Sequence, residues 1–132
     1  MTSDSRSEAK PPATGDGQPL SGRRVLIVED DPFISLDLEE ILKTAGVDVV
    51  GRSPSVEVAL EMIETTRPDA VLLDLNLRGT RATPVALALK AAGIPFVLTS
   101  GYSRSQIDEP SLDDILLVPK PVQPRTLLAG LR

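Results

Sequence analysis

Residues 25–32 read Val25-Leu26-Ile27-Val28-Glu29-Asp30-Asp31-Pro32. Four aliphatic side chains in a row, without polar alternation, are the pattern of a strand covered on both faces, as in a parallel sheet. The run breaks into three carboxylates and then a proline. Proline at the first helical position loses nothing, because its missing N–H would have no partner there, and Asp31 before it is a capping residue. These eight residues therefore predict a buried strand, an acidic loop and a helix start. The same grammar recurs downstream. Ala70-Val71-Leu72-Leu73 runs into Asp74, and Phe96-Val97-Leu98 into Thr99 and Ser100. Ile115-Leu116-Leu117-Val118 runs into Pro119-Lys120-Pro121. Val47-Asp48-Val49-Val50 alternates in part, as an edge strand would.

Helical stretches separate the runs. Ser53-Pro54 and Thr83-Pro84 repeat the cap-then-proline signal, predicting Ser53 and Thr83 as caps. Ile34, Leu38, Ile41, Leu42 and Ala45 form one stripe, with Gly46 as the stop; Val56, Ala59, Leu60 and Ile63 form a second. Val85, Ala88, Leu89 and Ala92 form a third, ended by Gly93. A fourth helix over residues 103–109 is weakly encoded, and a short fifth starts near Gln123. Strands alternating with helices predict an α/β fold: a doubly wound, five-stranded parallel sheet with helices on both faces, flavodoxin-like, in strand order 2-1-3-4-5. Right-handed crossovers follow from strand twist. Residues 1–22, rich in Ser, Thr, Pro and Gly, are expected to be a disordered tail, and residues 23–132 the domain.

Composition narrows the chemistry. The 132 residues contain no cysteine and no histidine, which removes disulfides, thiolate metal sites and the usual general base. A net charge of −5 argues against nucleic acid as a partner. No apolar run reaches the length of a membrane span, and no secretory signal opens the chain, so a cytoplasmic protein with no membrane partner is expected.

In a doubly wound sheet, ligands bind at the carboxyl ends of the strands. Those ends carry Glu29, Asp30, Asp74, Thr99, Ser100 and Lys120. Clustered carboxylates repel one another, and a hard divalent cation resolves the repulsion. Oxygen ligands alone point to Mg²⁺. A metal, an ammonium and a hydroxyl together suit the oxygens of a transferring phosphoryl group.

The segments VLIVEDDP, DAVLLDLNLRG, IPFVLTSGY and VPKP, in this order and spacing, resemble the receiver domain of bacterial response regulators in two-component signalling, over residues 23–132. The resemblance implies a phosphorelay protein rather than a turnover enzyme. Asp74 would accept the phosphoryl group from a sensor histidine kinase. Asp30 would be the main metal ligand, with Glu29 acting mostly through water, and Asp74 and the backbone carbonyl of Asn76 would complete the protein's share of the Mg²⁺ shell. Ser100 would be the switch hydroxyl and Lys120 the phosphoryl-pairing ammonium. Three departures from the family pattern stand out: Arg78 replaces the usual proline, Leu117 replaces an aromatic, and Thr99 competes with Ser100. The IPFV…GY stretch is also similar to a subgroup bearing Phe-Ala-Thr-Gly motifs. Because the chain ends at Arg132, signalling is expected to pass by contact with a downstream protein partner. Two alternatives are a degenerate receiver that binds partners without phosphorylation, and a Mg²⁺-dependent phosphohydrolase with an aspartate nucleophile. The second lacks the usual second carboxylate, because Asn76 stands two residues past Asp74.

Overall fold

The computed structural model describes residues 20–101, 110–112 and 114–131. The strands of the main sheet are β1 (Arg24–Val28), β2 (Asp48–Ser53), β3 (Ala70–Asp74), β6 (Phe96–Ser100) and β7 (Leu117–Pro119). They lie in the order β2-β1-β3-β6-β7, every pair parallel. Counting main-sheet strands alone, this is the expected order 2-1-3-4-5. The helices are α1 (Pro32–Thr44), α2 (Val56–Thr66), α3 (Thr83–Ala92) and α4 (Pro124–Leu131).

The continuous apolar runs are explained by two separate cores, one on each face. Leu26, Val28, Val71, Leu73 and Leu98 pack on one face with Ala59 and Ile63 of α2 and with Val85 and Leu89 of α3. Val25, Ile27, Ala70, Leu72 and Val97 pack on the other with Leu38 and Leu42 of α1 and Leu127 and Leu131 of α4. Successive residues of a strand point to opposite faces, so a strand lying between two helical layers needs apolar side chains at every position. Every residue of β3 and β6 is buried accordingly.

Asp31 caps α1 as expected: its Oδ1 accepts from the N–H groups of Phe33 at 2.9 Å and Ile34 at 3.3 Å. The other two caps differ from expectation. Ser53 stays in β2, its hydroxyl donating to the Ser55 carbonyl at 2.9 Å, and Ser55 caps α2 by accepting from the Val58 N–H at 3.3 Å. The second serine, extended at φ −145° and past the proline, has the backbone a cap requires. Thr83 lies inside the first turn of α3, and the cap position is Ala82, a buried residue with no side-chain acceptor to offer.

Three further differences concern the boundaries. Leu20 is buried at 4% exposure, while the Gly22 N–H donates to the Gly46 carbonyl at 2.8 Å. The packed unit therefore includes residues 20–22, which composition assigned to the tail. The last strand is shorter than its apolar run, because Ile115 instead closes a turn back onto the Leu112 carbonyl at 3.1 Å. A two-stranded antiparallel hairpin, β4 (Asn76–Leu77) with β5 (Thr80–Arg81), follows β3 and was not anticipated. Residues 1–19, Tyr102 and the weakly encoded helix over residues 103–109 lie outside the described residues. Among the described residues no helix is long and apolar enough to cross a membrane.

Candidate functional site

The register of the sheet brings the acids together. β1 and β3 are adjacent, with Val28 opposite Leu73, so Glu29 and Asp74 leave the sheet side by side. One oxygen from each of Glu29, Asp30 and Asp74 lies within 4.8 Å of the other two. Glu29 and Asp74 are nearly fully buried, at 3% and 4% exposure. Two buried carboxylates this close require positive charge, and Lys120 supplies it from the end of β7. Its Nζ sits 2.9 Å from Asp74 Oδ2 and 3.0 Å from Glu29 Oε1.

One ammonium shared by two carboxylates leaves Glu29 under-compensated. Burial raises its pKa and the Asp74 charge raises it further. Donation from the Asp31 N–H to Oε2 at 3.1 Å, together with Lys120, lowers it; the net position is about 7. For Lys120, burial pulls the pKa down, but the hydrogen bond and charge of Asp74, then those of Glu29, outweigh it and the net direction is up. Lys120 is therefore a firm cation at any physiological pH.

Backbone amides hold two further oxygens. The Asn76 N–H donates to Asp74 Oδ1 at 3.1 Å, and the Arg78 N–H donates to Asp30 Oδ2 at 3.1 Å. The sequence reading missed both contacts. Gly79 in a two-residue turn was the available signal, since such turns need positive φ, and Arg78 and Gly79 adopt φ 54° and 81°. The same turn explains the absence of proline at position 78, because proline holds φ near −65°.

Asn76 opens β4 two residues past Asp74, and its side-chain oxygen is buried without a hydrogen-bond partner. Thr99 and Ser100 are both buried at the end of β6. Thr99 is in register with Asp74, so the two share a face of the sheet. The Ser100 carbonyl accepts from the Lys120 N–H at 2.9 Å, which ties the strand end to the lysine. Asp31 is committed to capping, as expected. A cleft of about 420 Å³ bounded by Asp30, Arg52, Ser53 and Arg78 opens beside the acids.

The site fits a hard divalent cation. Three carboxylates with converging oxygens form the donor set, all oxygen, as Mg²⁺ prefers. Glu29 Oε1 is buried against the Lys120 ammonium, 3.0 Å away, which it shares with Asp74, so it can accept a further positive charge.

Comparison with known proteins agrees with this geometry. The family model for the response regulator receiver domain matches residues 25–132. A transcriptional regulatory protein, PdtaR, of Mycobacterium tuberculosis is 31% identical over 101 residues, which is 76% of this chain and 49% of PdtaR. The DNA-binding response regulator MtrA of Mycolicibacterium smegmatis is 34% identical over 118 residues, 83% of this chain and 49% of MtrA. The chain thus spans about half the length of these curated relatives. Among solved structures, the BeF3-activated conformation of SdrG from Pseudomonas melonis Fr1 superposes with a TM-score of 0.73 at 37% identity, covering 84% of this chain and 97% of that one. The receiver domain of Erythrobacter litoralis PhyR gives a TM-score of 0.75 at 26% identity, covering 84% and 88%. With the acids, the lysine and the hydroxyls at the carboxyl edge of a 2-1-3-4-5 sheet, this chain belongs to the response regulator receiver domain family.

Proposed function

We propose that this receiver is a phosphorylation switch in which Asp74 takes a phosphoryl group from the phosphohistidine of a sensor kinase. The observation that carries the reading is the placement of Lys120 within 3.0 Å of both Asp74 and Glu29, with Asp30 alongside. In the transfer an Asp74 oxygen attacks phosphorus as the P–N bond to histidine breaks, leaving an acyl phosphate and a free imidazole. Asp30 and Asp74 would hold Mg²⁺ directly, Glu29 mostly through water, and the Asn76 carbonyl would add a ligand. When bound, the ion supplies positive charge against the phosphoryl oxygens. Lys120 exchanges its contact with Asp74 Oδ2 for one with the phosphoryl group. Ser100 is proposed as the switch hydroxyl, with Thr99, in register with Asp74, as the alternative. The neutral Asn76 two residues on, in place of an acid, favours a switch over a turnover phosphohydrolase.

Signalling would pass by contact with a downstream protein in the cytoplasm. The structural likeness to PhyR, which one solved structure describes as an anti-anti-sigma factor, supports a protein as that partner. Intact-mass analysis after incubation with acetyl phosphate and Mg²⁺ tests the reading. One phosphoryl group should appear on wild type, be removed by hydroxylamine and be missing from Asp74→Asn. Equal labelling of Asp74→Asn sinks the Asp74 assignment, and a wild type that takes up no phosphoryl group leaves a phosphorylation-independent binding module.

A further inference from the structure

We infer that the backbone of the β4–β5 hairpin, through the Arg78 N–H, is the positioning group for the Asp30 carboxylate, a role that rests on the metal-dependent reading above. The hairpin is anchored from below and donates from above. Leu75 and Leu77 are buried in the core at 0% and 2% exposure, and the Ala82 N–H closes the hairpin's base on the Leu75 carbonyl at 2.7 Å. The intervening residues, Asn76 and Arg78, each direct a backbone N–H at a carboxylate of the site, at 3.1 Å in both cases. One rigid element therefore orients Asp74 and Asp30 together.

Asp30 needs such help more than its neighbours do. Glu29 and Asp74 are enclosed and share Lys120, whereas Asp30 is only partly buried and forms no ion pair among the described residues. Anchoring Oδ2 by an amide fixes the carboxylate plane and leaves Oδ1 free for a cation. An amide also does this without a full positive charge, which would repel the metal. The Arg78 side chain is exposed, so the backbone rather than the guanidinium meets Asp30. A proline at position 78 could supply neither the donor nor the φ of 54°. The departure from the family pattern at Arg78 is on this account a gain of a hydrogen bond.

The test combines an amide reporter with metal titration, both by two-dimensional NMR of the full chain. Asp30→Ala removes the acceptor, so the Arg78 amide should move upfield and exchange with solvent roughly tenfold faster than in wild type. Arg78→Ala keeps the N–H and should bind Mg²⁺ within about twofold of wild type, while Arg78→Pro should bind ~tenfold more weakly. An Arg78 amide indifferent to Asp30→Ala overturns the inference. So does Arg78→Ala weakening Mg²⁺ as much as Arg78→Pro, since the side chain would then be responsible. If Arg78→Pro fails to fold, the Asp30→Ala reporter and Arg78→Ala still decide. A wild type that ignores Mg²⁺ while its Arg78 amide still reports Asp30 supports the contact and overturns only the metal reading.

Discussion

Glu29 makes the stability of the metal-free domain depend on pH in an unusual window. Its carboxyl is displaced from 4.5 to about 7, by burial first and by the Asp74 charge. A carboxyl whose folded pKa exceeds its unfolded value favours the folded state fully below the unfolded pKa, and that contribution is lost as pH rises through the folded value. At about 1.36 kcal/mol per pH unit the displacement corresponds to roughly 3 kcal/mol, most of which falls between pH 8 and pH 5. The chain has no histidine, so the side chain that ordinarily dominates this window is missing. Lys120 is displaced upward from 10.5, and its contribution is lost only above that value, outside the window. Urea unfolding with EDTA, at pH 8, 7, 6 and 5, should therefore show the domain growing more stable as it is acidified. Glu29→Gln should flatten the profile and exceed wild type at pH 8. Saturating Mg²⁺ should flatten it as well, by favouring the ionised form. A wild-type profile that is level or falls toward pH 5, or a slope that survives Glu29→Gln, refutes the reasoning.

The remaining expectations address single elements. Asp31→Ala should cost about 1 kcal/mol in urea unfolding through the lost cap of α1 and leave the Mg²⁺ affinity unchanged; a large loss of affinity would reassign the metal ligand. Leu20→Ala should cost about 2–4 kcal/mol, whereas deletion of residues 1–19 should leave the unfolding midpoint in place. Beryllofluoride should shift amides most over residues 99–121, and Ser100→Ala should blunt that response. The opposite result, blunting by Thr99→Ala alone, would give the switch role to the hydroxyl in register with Asp74.

How much of this was legible in the sequence depended on whether the signal was local. Continuous aliphatic runs have one physical explanation, a strand between two layers, and β1, β3 and β6 followed from them directly. The Asp31-Pro32 cap was equally local, because cap and amide lie within three residues. Ser53 and Thr83 carried the same dipeptide signal and were not caps. There the competition between neighbours, a second serine in one case and a buried Ala82 in the other, depended on how the loop met the core. Leu20 was lost in a polar stretch, since one apolar residue has no period and its burial depends on a pocket built elsewhere in the chain.

The site divides in the same way. Residue types at strand ends were enough to nominate Glu29, Asp30, Asp74, Thr99, Ser100 and Lys120, because in a parallel sheet those ends converge whatever the details, whereas Asn76 was nominated by the family resemblance alone. Only the tertiary structure could decide how their charges balance. A lysine 46 residues from Asp74 in the chain comes within 2.9 Å of it, yet is shared with Glu29, so one acid is left near neutrality. Only the folded backbone could reveal that a turn at positive φ points the Arg78 amide at Asp30, 48 residues away. Composition and periodicity report what each segment prefers on its own. Distances across the sheet set the electrostatics, because Coulomb energy and desolvation depend on separation and burial, which belong to no segment alone.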